Sequence, residues 1–108
     1  MAHTIKLTKG AVNDLEGLYE YIAQNDSSNK ANTVLNKIEN HLEALAQNPE
    51  RGSYVRELLE LGIKEYREIY FKPYRMIYRI MNATVYIYLI VDGRRNLQDL
   101  LQQRLLNH

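Results

Sequence analysis

Apolar residues recur along this chain with two different periods, and the change of period separates a helical part from a strand part. From Thr8 to Gln47 the apolar positions return every three to four residues, which is typical of amphipathic helices. From Ile63 to Val91 they alternate with polar residues or form short runs rich in Tyr, Ile and Val, which is typical of strands. A final segment, Asn96 to Leu106, returns to helical spacing through Leu97, Leu100, Leu101 and Leu105.

Two helices are predicted in the first half. Thr8 offers an N-cap hydroxyl to the first helix, which should end near Gln24 because a polar cluster of turn-forming residues follows. The second helix is predicted from about Asn29 to Gln47, and the proline of Asn48-Pro49 ends it. Two helices joined by a short polar link form an antiparallel hairpin, and their apolar stripes require a sheet to pack on.

Four strands supply that sheet. The first is His3 to Leu7, and the other three are separated by the short breaks Lys72-Pro73 and Asn82-Ala83, so we expect an antiparallel meander. The three strands are Ile63 to Phe71, Tyr74 to Met81, and Thr84 to Val91.

The strand in the middle of the meander has two unlike faces. Because side chains alternate along a strand, one face is apolar and can receive the helices, whereas the other exposes two arginines. The apolar face consists of Tyr74, Met76, Tyr78 and Ile80, and the other of Arg75, Ile77, Arg79 and Met81. The fold class is therefore α+β, one domain over residues 1–108 in the order β-α-α-β-β-β-α, with a helical hairpin on a four-stranded antiparallel sheet.

Composition excludes several classes of protein. The chain has no cysteine, so it can form neither disulfides nor thiolate metal sites. We expect a cytoplasmic protein, because the N-terminus lacks the apolar run of a signal peptide and no segment is long and apolar enough to span a membrane. His3, His41 and His108 lie far apart, and the glycines are too scattered for a phosphate loop, so we expect neither a metal nor a cofactor.

Charge is distributed unevenly along the chain. Residues 1–50 have a net charge of −3 and residues 51–108 of +4, and eight of the ten cations in the second half are arginine. Arginine forms paired hydrogen bonds to carboxylates and phosphates, so this half either has a solvated basic surface or binds an anionic partner. Seven of the nine tyrosines also lie there, where they suit an antiparallel sheet and equally well the stacking of unpaired bases.

Two arginine motifs carry a family resemblance. They are the strand Tyr74-Arg75-Met76-Ile77-Tyr78-Arg79-Ile80 and the strand end Ile90-Val91-Asp92-Gly93-Arg94-Arg95. With them the chain resembles the RelE/ParE toxin superfamily, in its ParE-like rather than its RelE-like branch. The resemblance continues through Asp14-Leu15, Tyr21-Ile22-Ala23, Asn48-Pro49, the segment Gly62 to Arg67, and the segment Leu100 to Leu106.

The resemblance implies the toxin of a type II toxin–antitoxin pair, held inactive in a hetero-oligomer with a cognate antitoxin. ParE-like members poison DNA gyrase and carry out no chemistry themselves. RelE-like members cut messenger RNA on the ribosome without a metal. A third possibility is a non-toxic remnant that only binds its antitoxin.

The residues of RelE-like nucleases are only partly present in this chain. The resemblance places their strand arginine at Arg75 and their turn arginine at Arg95, with Arg67 as a nearby substitute for a missing cation. Their paired lysines would fall on Tyr66 and Glu68, and a glutamate there would repel phosphate. Their final tyrosine falls close to Leu101, so the nuclease set is incomplete and the ParE-like alternative is favoured.

Six residues are predicted to bind the target or the antitoxin. They comprise four arginines of the strand and the turn and two leucines of the last helix, which could equally belong to the core: Arg75, Arg79, Arg94, Arg95, Leu101 and Leu105. Asp92 stands where many family members have histidine, and we expect it to pair with the neighbouring arginines and to rigidify the turn.

Overall fold

The computed structural model of the chain describes residues 2–106. Five strands form its sheet: β1 (Thr4–Leu7), β2 (Ser53–Tyr54), β3 (Arg67–Phe71), β4 (Tyr74–Met81) and β5 (Thr84–Asp92). Four helices accompany them: α1 (Lys9–Asn25), α2 (Ser28–Ala44), α3 (Arg56–Leu59) and α4 (Leu97–Leu101). A 3-10 turn at Pro49–Arg51 precedes β2, and a π-helical turn at Gln102–Leu106 continues α4.

The strands are ordered β1-β5-β4-β3-β2 across one sheet. The meander β3-β4-β5 is antiparallel as predicted, but β1 lies parallel to β5, with Thr4 opposite Thr84. The expectation of four antiparallel strands was therefore wrong in the count and in the direction of one pair. The fifth strand, β2, has two residues and pairs with Glu68 and Arg67 of β3, which is too short to leave an alternating pattern.

The helical hairpin forms where the pattern predicts it, and both helices begin at capping hydroxyls. Thr8 Oγ1 accepts a hydrogen bond from the N–H of Ala11, and Ser27 Oγ accepts one from the N–H of Lys30. These bonds satisfy N–H groups that have no partner within the helix. The helix α2 ends at Ala44, three residues before the predicted Gln47, and a turn continues to the proline.

The first core lies between this hairpin and the sheet. It contains Met76 and Tyr78 of β4, with Tyr74 and Ile80 packed at its margin, which confirms the predicted apolar face. The remaining buried residues come from α1, α2 and the adjacent strands: Ala11, Ile22, Ala31, Val34, Ile38, Leu42, Leu45, Ile69, Val85, Ile87 and Ile90.

A second core covers the opposite face of the sheet, which was predicted to be exposed. Ile77 of β4 packs there among residues of α3, α4 and the neighbouring strands: Val55, Leu58, Tyr66, Leu89, Val91, Leu97 and Leu101. The covering element α3 has only four residues, too few to show a helical period. The strand β3 begins at Arg67 rather than at the predicted Ile63.

A bulge in β5 changes which residues face the second core. Ile77 pairs with Leu89 and the next residue, Tyr78, pairs with Ile87, so Tyr88 has no partner across the strand. The extra residue places Tyr88 and Leu89 on the same side of the sheet, where both pack against the second core. Alternation from Ile87 already turns Tyr88 to this side, where its ring lies 5.6 Å from that of Tyr66 between centroids, and the bulge adds Leu89 beside it.

Tyr78 fixes the loop that leads into β2. Its hydroxyl donates a hydrogen bond to the carbonyl oxygen of Pro49 at 2.6 Å and accepts one from the N–H of Gly52 at 3.1 Å. A Cβ atom on Gly52 would lie 2.5 Å from that hydroxyl and from the carbonyl oxygen of Glu68, so only glycine fits. The loop, and with it the position of α3, is thus tied to the centre of the sheet.

Candidate functional site

Arg75, the strand arginine of the resemblance, lies under α3 rather than in solvent. Its Nη1 and Nη2 donate hydrogen bonds to the two carboxylate oxygens of Glu57, each at 2.9 Å, and its Nε donates to Glu68 at 2.5 Å. Only 7% of the residue is exposed. The structure therefore places this guanidinium in an internal ion pair, where it has no free paired donors for another anion.

The electrostatics of this cluster favour its charged form. The hydrogen bond from Arg75 lowers the pKa of Glu57 to about 2, against the opposing effect of burial. The hydrogen bond to Glu57, helped by Glu68, raises the pKa of Arg75. With two carboxylates around one guanidinium, this part of the sheet repels phosphate.

Gly93, which follows β5, allows the chain to pass close to Arg75. Its N–H donates to the carbonyl oxygen of Pro73 at 2.7 Å. A Cβ atom there would lie 3.0 Å from the Arg75 side chain and 2.9 Å from the hydroxyl of Tyr70. The glycine of the turn motif thus has a packing role beside the buried arginine.

The turn after β5 presents the other two arginines of the motifs to solvent. Arg94 donates hydrogen bonds to both carboxylate oxygens of Asp92, which confirms the predicted pairing for Arg94 but not for Arg95. The bond from Arg94 lowers the pKa of Asp92 to about 2. Arg94 nevertheless keeps 78% of its side chain exposed, and Arg95 is exposed as well and forms no ion pair within residues 2–106.

Arg67, the third residue of the possible nuclease set, is on the other face of the sheet. It lies opposite Tyr78, which belongs to the first core, whereas Arg75 faces the second core. Its guanidinium donates to the carbonyl oxygen of Gly52 at 2.9 Å and lies over the ring of Tyr54. The three arginines of the nuclease alternative are thus not brought together: one is buried, one is behind the sheet and one is in the turn.

The two leucines of the last helix differ in exposure. Leu101 is 1% exposed in the second core, and Leu105 is half-buried against it. The core alternative for Leu101 therefore agrees with the structure, while Leu105 also lines an open cleft.

Arg79 faces the second-core side of the sheet at the end away from Arg75. It lies over the ring of Tyr66, 5.7 Å from the ring centroid. Sequence reasoning singled out Arg79 but not its surroundings, which include Lys9 at the start of α1 and the tyrosines of β5 and of the segment before β3. Lys9 comes from a distant part of the chain, so no local motif could have revealed it.

Residues 2–106 contain no cluster of three or more side chains able to hold a metal ion, and His108 lies outside the described residues. No helix within them has the length and apolarity needed to cross a bilayer.

Comparison with known proteins agrees with the motifs. The family model described as the ParE toxin of type II toxin–antitoxin systems matches residues 5–97. Toxin ParE3 of Caulobacter vibrioides is 30% identical over 90 residues, which cover 83% of this chain and 86% of that protein.

Solved structures share the fold at low sequence identity. A chain of the chromosomal ParDE system of P. aeruginosa superposes with a TM-score of 0.71 at 18% identity, covering 84% of this chain and 96% of that one. A chain of the RelBE2 toxin–antitoxin complex of Mycobacterium tuberculosis gives 0.64 at 22% identity, covering 85% and 92%. A mutant of E. coli toxin RelE in the free state gives 0.66 at 15% identity, covering 98% and 97%. From the match over residues 5–97 and the ParE3 relative, this chain belongs to the ParE family of toxins of type II toxin–antitoxin systems.

Proposed function

We propose that this protein inhibits growth by poisoning DNA gyrase in the cytoplasm, without cutting RNA, and that a cognate antitoxin neutralises it. Membership of the ParE family supports the toxin role, and the ParE-like resemblance supplies gyrase as the target. The observation that carries the non-enzymatic mechanism is the burial of Arg75 between Glu57 and Glu68.

A metal-independent ribonuclease requires cations that meet the phosphate and a group that activates the ribose hydroxyl. Here the strand arginine is neutralised and Arg67 is on the opposite sheet face. The resemblance puts Glu68 where RelE-like nucleases have a cation. A cluster of two carboxylates and one guanidinium has a net negative charge, which raises the energy of a phosphate transition state instead of lowering it.

The surface that we propose for the gyrase or the antitoxin is the turn after β5, which carries the exposed Arg94 and Arg95 of the predicted set. Arg79 and Leu105 are half-buried and line a separate cleft, and Arg75 and Leu101 are buried and would need α3 or α4 to move. An open groove of about 510 Å³ adjoins the turn, between α1 and the end of β5, and has Tyr21, Tyr74 and Arg95 among its lining residues. Asp14 and Asp92 also line it, and Asp92 is paired with Arg94, so Arg95 is the cation that forms no ion pair within residues 2–106. Together with the exposed ring of Tyr21, Arg95 suits an acidic, partly apolar partner segment.

The test combines purified protein with gyrase of the native host. We expect loss of supercoiling and accumulation of cleaved DNA, weakened in Arg94→Gln/Arg95→Gln and unchanged in the matched control Lys30→Gln, which removes an exposed cation of α2. Co-expression of the antitoxin should restore growth. Unaffected gyrase together with cut messenger RNA would establish the ribonuclease instead, and harmless expression without antitoxin would establish a non-toxic remnant.

A further inference from the structure

A second open cleft, of about 660 Å³, lies where the start of α1, the second-core side of the sheet and the last helical turn meet. We call it the Arg79 cleft. Its charged lining residues are all cations: Lys9 from α1, Arg79 from β4 and Arg104 from the last turn. It is separate from the buried Arg75 cluster and from the groove beside the turn after β5.

The cations of the cleft are not equally available. Arg104 donates to both carboxylate oxygens of Asp14 at 3.1 Å and to the carbonyl oxygen of the bulged Tyr88 at 3.0 Å, so it is already neutralised. Lys9 and Arg79 form no ion pair within residues 2–106. The cleft therefore presents two uncompensated positive charges.

Arg79 is also oriented in a way that suits an anion with several oxygen atoms. Its guanidinium lies over the face of Tyr66, which restrains the group without using its N–H donors. Those donors can then form paired hydrogen bonds to an anion such as a phosphate.

An aromatic and apolar wall adjoins these cations. The rings of Tyr66 and Tyr88 are 5.6 Å apart and tilted by 59°, and the half-buried Tyr88 and Leu105 both line the cleft. A carboxylate side chain would use only the cations. A nucleotide would use both parts, its phosphate against the cations and its base against the aromatic wall.

From this combination we infer that the Arg79 cleft binds a nucleotide, either free or within a single strand, through its phosphate and its base. This inference does not depend on gyrase as the target, because the cleft could bind a nucleotide in a protein that leaves gyrase unaffected.

The test is a titration of the full-length protein followed by amide chemical shifts in NMR. The probes are inorganic phosphate, adenosine, adenosine monophosphate, a six-nucleotide single strand and a hexaglutamate peptide. We expect adenosine monophosphate to shift the amides of Lys9, Gly10, Arg79 and Gln103, with higher affinity than phosphate or adenosine alone. If the single strand binds much more tightly than adenosine monophosphate, the ligand is a nucleic acid. If the two bind with equal affinity, the ligand is the free nucleotide.

Three variants make the inference falsifiable. Arg79→Gln should weaken binding by about tenfold or more, the value of a charge-assisted hydrogen bond. Lys9→Gln, an exposed change, should act in the same direction, and Tyr88→Leu should remove the preference for adenosine monophosphate over phosphate. Lys30→Gln serves as the control and should bind like the unmodified protein.

The inference is overturned if hexaglutamate binds at least as well as the single strand, if no probe shifts the cleft amides, or if Arg79→Gln binds normally while its spectrum shows an intact fold.

Discussion

Arg75 and Arg79 lie four residues apart on the same face of the same strand, and their surroundings are opposite. Arg75 is held by two carboxylates under α3, whereas Arg79 lies over an aromatic ring at the edge of an open cleft. The strand alone would give the two residues equal roles. The difference comes from the elements that cover the sheet, because α3 contributes Glu57 at one end and α1 contributes Lys9 at the other.

Removing the buried guanidinium should have the largest effect of the changes considered. Arg75→Ala leaves Glu57 and Glu68 side by side without their shared partner, and we expect a loss of about 3 kcal/mol in the free energy of unfolding. Urea denaturation measures it, with the exposed Arg95→Ala as the control, expected within about 0.5 kcal/mol of the unmodified protein. A loss below about 1 kcal/mol for Arg75→Ala would mean that the cluster contributes little.

Lowering the pH should reduce the free energy of unfolding through the ion pair of Arg75 with Glu57. The pKa of Glu57 is about 2 in the folded protein and near 4.5 when unfolded, so its stabilisation is complete above pH 4.5 and is lost as the pH falls towards 2. The difference amounts to roughly 2–3 kcal/mol, measured by urea denaturation at several pH values. Glu57→Gln should lack this part of the acid dependence. Asp92 titrates in the same range, so Asp92→Asn shows what the exposed turn adds, and an equal acid slope in Glu57→Gln would contradict the assignment.

The last helical turn forms one wall of the Arg79 cleft, and its position should depend on Asp14. This carboxylate accepts hydrogen bonds from the N–H of Ile90 and from Arg104, and thereby ties α1, β5 and the last helical turn together. Asp14→Ala leaves the Ile90 N–H unsatisfied and should cost about 2 kcal/mol. Amide hydrogen exchange in residues 102–106 should become faster, whereas Asn13→Ala, an exposed neighbour on the same helix, should leave it unchanged.

Arg79 itself should contribute least to stability. Its described contact is the one with the Tyr66 ring, so Arg79→Gln should cost no more than about 1 kcal/mol in urea denaturation. A loss as large as that of Arg75→Ala would show that Arg79 also has a structural role, and the contrast between the two ends of the strand would fail.

Local patterns predicted the parts of the fold that depend on neighbouring residues. The capping hydroxyl of Thr8, the turn at Asn82-Ala83 and the apolar face around Tyr78 all formed as expected. The Asp92–Arg94 pair was predictable for the same reason, since its members are two residues apart.

The features that were missed depend on distant partners. Glu57 and Arg75 are 18 residues apart in sequence, and they meet only because the short α3 covers the second face of the sheet. A four-residue helix and a two-residue strand are below the length at which a period can be read. The prediction of an exposed arginine face therefore followed correctly from β4 alone. It was wrong because the elements that cover this face are too short to show a hydrophobic period.

The parallel contact between β1 and β5 delays the completion of the sheet while the chain is being synthesised. The strand β1 is synthesised before the other four described strands and has no partner until the last of them, β5, has been made, and β5 also separates β1 from the rest of the sheet. Bringing together two strands that are so far apart in sequence is slow compared with the formation of the helical hairpin. A translation product that stops before β5 would leave the hairpin and β1 without the strand that joins them to the sheet, so premature termination should yield an incompletely folded chain rather than a smaller active one.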